Sequence, residues 1–579
     1  MFNFRRYSNV TDIRLHRDLP VDNFYQAFRN MTNLRSISLP ECTTNLYEMC
    51  VDCHNLTEAV CGDSVTTMYG AYANCTNLTT AVCGPNVTSI TGTYRNCSNL
   101  TTAVCGDKVT YMTNTYNHCH KLTTAVCGPN VTNMADAYSS CYNLTTAVYG
   151  PNVTDMAFAY SSCYNLTEAV CGDQVVNMSG TYSYCYNLTT AVCGSNVTNM
   201  CTTYQNCNNL TTAVCGPNVT HMGGAYASCN NLTEAVCGPN VTYMGNAYAF
   251  CINLKTAVCG DNVTNMRTTY QSCHNLTEAV CGPNVTNMYA TYVNCYNLTT
   301  AVCGPNVTYM AFAYQNCYNL TEAICGPNVT DMGSAYNHCY NLTTAVCGPN
   351  VTNMHDAYVN CTNLTTAVCG DSVTTMYGAY WHCYNLTTAV CGDNVTTLSY
   401  AYANCINLTT AVCGPNVTNL AHAYYNCPNV KGNVYLYSPN ISNVRYCFTR
   451  RSNSHSLNIY VIRNSKTYST VCTSNTYSFT GSPIIWTSSD NYVYNAVANI
   501  YIYPVDNIKI FALENEYHTS SQLSSLTDYI QTDNYQVTTV ITEYTQEATN
   551  ITIDSGYACA IPINKELLQN ITVKSLEVL

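Results

Sequence analysis

The feature that most constrains this chain is a repeat of fixed length. Leucines stand 22 residues apart from Leu34 through Leu408, and Val430 takes the next place, with no insertion or deletion in the frame. Self-similarity at a fixed period of this size is typical of solenoids, in which each copy of the repeat packs against its neighbours. Most of the 579-residue chain is therefore expected to be one stacked structure rather than several globular domains.

One copy shows how the chain can coil around a small core. Its apolar residues are Val65, Met68, Tyr72, Cys75, Leu78, Ala81 and Cys83. This spacing predicts a short strand over residues 79–83, tight turns, and one helical turn over residues 72–75. A glycine follows the strand in every copy from Gly62 to Gly414, where we expect it to let the backbone turn sharply. The strands of successive copies then stack in parallel, about 4.8 Å apart.

Composition and charge exclude several classes of partner. Charged residues make up 9% of the chain, against roughly 25% in an ordinary globular protein. The formal charge is −12, and the basic residues between His54 and Cys427 are Arg95, Lys108, Lys121, Lys255 and Arg267. Nucleic acid requires clustered Lys and Arg, so it is not an expected partner.

No apolar segment of membrane-spanning or signal-peptide length occurs, so neither membrane insertion nor Sec export is expected.

The copies resemble the repeats of a known family. Those repeats read roughly A-F-x-x-C-x-x-L-x-x-I-x-I-P-x-x-V-x-x-I, and the residues here that take the corresponding places are Ala71, Tyr72, Cys75, Leu78, Ala81, Cys83, Val87 and Ile90. Over about residues 24–445 the chain thus resembles the BspA-like class of leucine-rich repeats. The resemblance implies a leucine-rich-repeat solenoid, and it limits function only to adhesion and recognition at bacterial, parasite or viral surfaces. The chain departs from the family by using Tyr for Phe, Met for Ile, and Cys for an aliphatic residue.

Almost all of the 40 cysteines fall into two files, a file being the set of residues at equivalent positions in successive copies. The first file runs from Cys53 to Cys427 and the second from Cys61 to Cys413, with Tyr149 in one place. We expect both to face the core. Equivalent Cβ atoms would lie near 4.8 Å apart with parallel vectors, whereas a disulfide needs roughly 3.5 to 4.5 Å and converging vectors. We therefore favour buried, reduced thiols acting as small apolar fillers and indicating assembly in a cytosol, over disulfides between adjacent copies or metal binding.

Two segments contain neighbouring His and Cys residues, which are common metal ligands, but neither segment predicts a metal site. They are His118-Cys119-His120 and His382-Cys383. Their histidines should point outward where the cysteines point inward, so no metal and no cofactor is expected.

Two further files are predicted to be structural. The tyrosines from Tyr72 to Tyr424 should lie in the core, with each hydroxyl reaching the edge of its coil for a partner. The Asn before each Leu, from Asn33 to Asn429 with Lys121 as the one exception, should form a ladder of side-chain amides between coils.

Candidate binding residues lie where the copies differ. The strand positions are nearly uniform, whereas variation concentrates at the positions equivalent to 67, 69, 70, 73, 74 and 76. Seven tyrosines directly follow cysteines of the first file and should project outward: Tyr142, Tyr164, Tyr186, Tyr296, Tyr318, Tyr340 and Tyr384. Tyr provides rigid contact area and hydrogen bonding at low entropic cost, so these are the predicted binding residues. The alternative is that they merely solvate the surface.

The chain divides into three expected regions. Residues 1–30 should form an atypical capping segment over the first apolar layer. Residues 31–447 form the predicted leucine-rich-repeat solenoid of about 18–19 coils. Residues 450–579 contain alternating β-branched and aromatic runs between Asn, Asp, Gly and Pro, which predict one or two small β-rich domains for attachment or homo-oligomerisation. The predicted strands begin at Leu457, Ile484, Asn499, Ile508 and Tyr535.

The sequence favours recognition over catalysis. It has no Gly-rich phosphate loop, no carboxylates paired at one site and no metal-spaced ligands, so it is not expected to be an enzyme. The leading hypothesis is a bacteriophage tail-fibre or virion-surface protein, made in a bacterial cytosol, that binds host cell-surface glycan or protein. The alternative is a BspA-like adhesin at a bacterial cell surface or secreted from it. A third hypothesis places hydrolase activity in the C-terminal region.

Overall fold

The computed structural model describes residues 4, 7, 9–300, 303–431, 443 and 446–448, together with the backbone of seven strands between residues 432 and 514. The chain divides into two compact units, Met1–Tyr296 and Asn297–Leu579. Each unit contains 22-residue coils, and the described residues include no helix.

The strands are very short within the repeat and longer after it. In chain order they are β1 (Asp12–Arg14), β2 (Ser36–Ser38), β3 (Thr256–Ala257), β4 (Glu278–Ala279), β5 (Glu322–Ala323), β6 (Thr344–Ala345), β7 (Gly432–Leu436), β8 (Leu457–Arg463), β9 (Tyr468–Thr473), β10 (Thr476–Gly481), β11 (Val493–Tyr494), β12 (Tyr501–Val505) and β13 (Ile508–Glu514). β1 pairs with β2, β3 with β4, and β5 with β6, all in parallel. A five-stranded sheet has the order β11-β12-β13-β8-β7, and β9 and β10 form an antiparallel pair.

Successive coils are joined in parallel along two lines of β-bridges. One line lies at the predicted strand position and is represented in many coils by a single bridge, such as Thr80 to Thr102. The other passes through positions such as Ser89 and Tyr111. The predicted parallel stacking of short strands is therefore confirmed, with strands reduced in places to one bonded residue.

A third line joins residues 68–74 of each coil, and here the predicted helical turn is wrong. Alternate N–H groups donate to the next coil, as that of Tyr72 does to the carbonyl of Thr93 at 2.9 Å. Two of these donors, Gly70 and Asn74, have φ of 58° and 64°. The left-handed residues reverse the chain twice, so it zigzags instead of winding into a helix. Non-glycine residues fill most equivalent positions, so bonding between coils stabilises a conformation that is otherwise costly.

The core contains one side chain from each inward file. Three of these files are represented by Leu78, Val87 and Tyr94, and each of these three side chains is fully buried. Neighbouring rings of the tyrosine file stack nearly parallel, with centroids 5.3 to 5.8 Å apart. The prediction that these tyrosines are core residues is confirmed.

The tyrosine hydroxyls bond to the strand side of their own coils. The hydroxyl of Tyr94 donates to the carbonyl of Val82 at 2.6 Å and accepts from the N–H of Val82 at 2.8 Å. One phenol therefore satisfies both backbone groups of a strand residue, in place of a partner in a β-ladder. Phe could not do this, which explains why this chain uses Tyr where the resembling repeats use Phe.

The glycine after each strand is required for close approach between coils. A Cβ added to Gly194 would lie 2.8 Å from the carbonyl oxygen of Gly172 and 2.9 Å from Sγ of Cys171. Its φ lies outside the left-handed region, so the expected reason, a sharp turn, is not the main one. The glycine file instead lets the thiol and the backbone of one coil press against the next.

Side-chain amides add polar ladders along the surface. The predicted ladder of Asn before Leu is present in several coils, where Nδ2 of Asn77 donates to Oδ1 of Asn55 at 3.3 Å and Nδ2 of Asn275 donates to Oδ1 of Asn253 at 3.1 Å. These side-chain bonds join equivalent residues of successive coils, as the backbone bridges do.

The two ends of the repeat differ. At the N-terminus the ring of Phe28 is fully buried and stacks on those of Phe4 and Phe24, while β1 joins the stack through β2. Beyond residue 450 the strands β8, β12 and β13 occupy runs that the sequence predicts as strands. The predicted runs beginning at Ile484 and Tyr535 lie outside the described residues.

We predict that Tyr402→Phe lowers the free energy of unfolding by about 1–3 kcal/mol, because the N–H and carbonyl of Val390 lose their phenol partner. The matched control is Tyr358→Phe. The hydroxyl of Tyr358 is buried without a hydrogen-bond partner, and the N–H of Val346 donates to Ala323 instead. Denaturant unfolding and amide exchange at Val390 measure both variants. Equal destabilisation by the two substitutions would contradict the assigned role of the phenol.

We predict that Gly194→Ala destabilises the protein by about 1–3 kcal/mol, because the new methyl group overlaps Gly172 and Cys171. Gly62→Ala is the control in the same file, since a Cβ there meets no atom within 4 Å. Thermal unfolding of both variants tests this, and a loss of stability in Gly62→Ala as large as in Gly194→Ala would argue for a turn rather than a close approach.

Candidate functional site

The predicted binding tyrosines in the first unit form a stacked strip. Each follows a buried cysteine, so its side chain lies on the outer side of the coil. The rings of Tyr142 and Tyr164 are 4.7 Å apart and nearly parallel, and the ring of Tyr186 follows at 5.1 Å. The imidazole of His120 extends the stack on the other side at 4.5 Å from Tyr142. Tyr296 stacks on His274 at 4.6 Å elsewhere in this unit.

The second unit holds the other three predicted tyrosines. The rings of Tyr318 and Tyr340 stack at 5.1 Å. The hydroxyl of Tyr384 lies 2.8 Å from Nδ1 of His382. The structure thus brings two of these three together and places the third beside a histidine.

Stacking determines which parts of the tyrosines can meet a ligand. Within the strip of His120, Tyr142, Tyr164 and Tyr186, neighbouring rings cover each other's faces and leave edges and hydroxyls at the surface. Tyr186, at the end of the strip, is 39% exposed, and Asn208 takes the next place in the file. Because the rings are already ordered, a partner would immobilise few side chains on binding. Ligand binding by these seven residues stays a prediction.

A surface groove in the first unit was missed by the sequence reasoning. It follows the stack from Lys108 to Asn262, as two adjoining cavities of 520 and 690 Å³ that share Thr154 and Gln174. In each coil the lining is one residue of the amide file (Asn86 and its equivalents) and one residue two positions later, usually Thr. The available signal was the alternation Asn-Val-Thr in most copies, which places Asn and Thr on the same face of an extended segment.

The groove walls are held by hydrogen bonds between coils. Nδ2 of Asn218 donates to the carbonyl of Ser195 at 2.8 Å, and Nδ2 of Asn240 to that of Pro217 at 2.8 Å. The hydroxyl of Thr242 donates to the carbonyl of Thr220 at 3.3 Å. Equivalent bonds recur along the groove, so its polar side chains have defined orientations.

The first cysteine file is buried, as predicted, but its thiols do more than fill space. Cys97 has no exposed surface, and its Sγ donates to the carbonyl of Tyr72 at 3.2 Å. Cys119 repeats the bond to Tyr94 at 3.1 Å. The described cysteines are free thiols, and burial raises the pKa of Cys97 to about 12.

The second cysteine file corrects the expectation that it faces the core. Most of its thiols are half-buried, at the border between strand and glycine. Sγ of Cys171 lies 3.4 Å from Sδ of Met178, and the same contact recurs in other coils, such as that of Cys193 with Met200 at 3.5 Å. Partial burial raises the pKa of Cys171 to about 11 and that of Cys215 to about 12.

The histidines and cysteines of the two ligand-like segments diverge as predicted. Cys119 is buried, whereas His118 is exposed and His120 lies in the aromatic strip. Across the described part of the chain, no three His, Cys, Asp or Glu side chains are placed to hold one metal ion. The same residues contain no helix with the length and apolar character needed to cross a bilayer.

Comparison with known families and structures gives a clear result for the repeat. The family model of the BspA-type leucine-rich repeat region, which spans six copies, matches overlapping segments that together run from residue 3 to residue 501. The crystal structure of a leucine-rich repeat protein from Bacteroides ovatus ATCC 8483 is similar, with a TM-score of 0.42 and 15% identity. That similarity covers 60% of this chain and 82% of the other. A search of the curated proteins finds no match.

We predict that stability changes little between about pH 7 and pH 8.5 and falls steeply above pH 9. The pKa of the thiols is near 9 in the unfolded chain but about 11 for Cys171 and about 12 for Cys215 in the folded one. Between these values the unfolded chain loses protons that the folded chain keeps, so rising pH favours unfolding. Denaturant midpoints from pH 6.5 to 11 under reducing conditions measure this.

Replacement of Cys171 and Cys215 by Ala should reduce that slope, because two titrating groups are removed. Thiol titration serves as the control, since the native protein should react slowly and the denatured protein completely. Constant stability up to pH 10.5 would contradict the burial of the thiol files.

Proposed function

Because the chain belongs to the BspA-type leucine-rich-repeat family, we propose that it is a non-enzymatic recognition protein whose outward-facing tyrosines contact glycan or protein on a cell surface. The observation that carries the proposal is the strip formed by His120, Tyr142, Tyr164 and Tyr186. Rigid aromatic and hydroxyl groups of this kind are frequent in recognition surfaces. The strip lies at a position where the copies differ from one another.

The groups with the most perturbed acidity support recognition rather than catalysis. They are phenols and thiols in the interior, such as Tyr94 and Cys97, and burial raises the pKa of both. Their polar atoms are engaged with backbone groups, so they are occupied in stabilising the coil. A catalytic acid or base would need to reach a substrate.

In its finer form the proposal is a bacteriophage tail-fibre or virion-surface protein, assembled in a bacterial cytosol. The free thiols support this, since such thiols persist in reducing compartments. A bacterial cell-surface adhesin is the alternative. Gold-labelled antibody on intact virions and on producing cells separates the two: label on virions supports the first location, and label confined to the cell envelope supports the second.

We predict that replacing Tyr142, Tyr164 and Tyr186 together by Ala weakens adsorption of the purified protein to target bacterial cells by at least about tenfold. The thermal midpoint should change little, because the rings lie outside the core. Tyr111→Ala is the matched control, since Tyr111 is 53% exposed and lies outside the strip. Adsorption to cells with and without surface polysaccharide distinguishes glycan from protein receptors. Unchanged adsorption by the triple variant would exclude the strip as the contact surface.

A further inference from the structure

We propose that the groove from Lys108 to Asn262 binds a linear, neutral glycan lying along the stack of coils. The site is lined by residues other than the aromatic strip. This glycan-binding proposal rests on the recognition function proposed above, and it names one ligand class for that function. Its two adjoining cavities, 520 and 690 Å³, form an extended channel and not a closed pocket.

The hydrogen-bond inventory of the walls defines what a ligand must supply. The amides of Asn196 and Asn218 each use Nδ2 to donate to a carbonyl of the preceding coil, at 2.8 Å in both cases. The hydroxyls of Thr198 and Thr242 likewise donate to backbone carbonyls. With the hydroxyl hydrogens and one N–H of each amide engaged, the groove presents amide and hydroxyl oxygens with free lone pairs and a second N–H on each Asn amide. A complementary ligand must therefore carry groups that both donate and accept hydrogen bonds, as sugar hydroxyls do.

The charge of the lining residues narrows the class of ligand further. Among the residues that line the two cavities, the charged one is Lys108, which lies at one end of the groove. Its Nζ donates to Oδ1 of Asn86 at 2.6 Å. A polyanion would find no series of cations here, and a polycation no series of carboxylates. A chain of neutral hydroxyl groups matches walls of amides and hydroxyls.

Spacing favours a glycan over an extended peptide. The coils are paired in parallel, so equivalent groove oxygens repeat at about 4.8 Å. A β-strand presents N–H groups along one edge only at every second residue, about 6.8 Å apart, and falls out of register within a few coils. A chain of hexoses offers several hydroxyls per ring and can contact every coil. Because the walls are already bonded into the fold, binding orders few protein groups.

The test is binding of four hexasaccharides, cellohexaose, maltohexaose, mannohexaose and laminarihexaose, to the full chain by calorimetry. We expect at least one to bind, more tightly than its trisaccharide and with an affinity that does not change with salt concentration. In Thr198→Val/Thr242→Val, loss of the two hydroxyls should weaken that binding by about tenfold. Val176 stands in the same file, so the fold already accepts valine there.

The control is Thr145→Val/Thr189→Val. These threonines make the same kind of bond, to the carbonyls of Thr123 and Thr167 at 3.2 Å, but do not line the groove. The control should bind within about twofold of the native chain. Binding of none of the four sugars, equal loss in both double variants, or tighter binding of an extended serine-rich peptide would each overturn the proposal. Sugar binding that survives in a chain unable to adsorb to cells would instead reject the proposed function and leave the groove assignment intact.

Discussion

Within each unit, the whole architecture depends on backbone contact between equivalent residues of successive coils. A coil on its own would leave alternate N–H groups of residues 68–74 without partners, and the faces of its buried tyrosine would meet water. Stacking of the coils supplies both the hydrogen-bond partners and the cover for the ring. The N–H of Tyr72 donates to the carbonyl of Thr93 at 2.9 Å, and the ring of Tyr72 packs on that of Tyr94. Neighbours therefore provide the stability that no single coil has, as the general behaviour of repeat proteins requires.

The same constraint explains why the core contains so many polar-tipped side chains. The carbonyl of Tyr72 accepts from the N–H of Cys75 at 3.1 Å and from the thiol of Cys97, in the following coil, at 3.2 Å. The hydroxyl of Tyr72 bonds both backbone groups of Val60. Tyr in place of Phe thus supplies partners for backbone groups that the strand leaves unpaired, and Cys in place of an aliphatic residue supplies a second donor to a carbonyl that already accepts one bond.

These bonds also separate what the sequence could predict from what it could not. The inward files of Leu78 and Tyr94 follow from apolar spacing, because side-chain period reflects which face is buried. The left-handed residues at Gly70 and Asn74 depend on bonds to a segment 21 residues away, so local pattern suggested a helical turn instead. The half-burial of the second thiol file depends on how closely the glycines bring two coils together. The groove was overlooked because binding residues were sought where the copies differ, and the Asn and Thr residues of the groove vary little.

The uniform and the varied parts of the surface can serve recognition in different ways. The groove repeats one arrangement in most of the coils it follows, so it suits a polymer whose units repeat, and each added contact gains from those already made. The aromatic strip ends where Asn208 replaces Tyr, so its contacts are confined to a few coils. A polymer held in the groove would have freedom to slide by one coil, whereas a contact at Tyr186 would fix one register. The groove would therefore supply affinity through repeated contacts, and the strip would fix the position of the ligand. The two contributions are separable, because they come from different files of residues in the same coils.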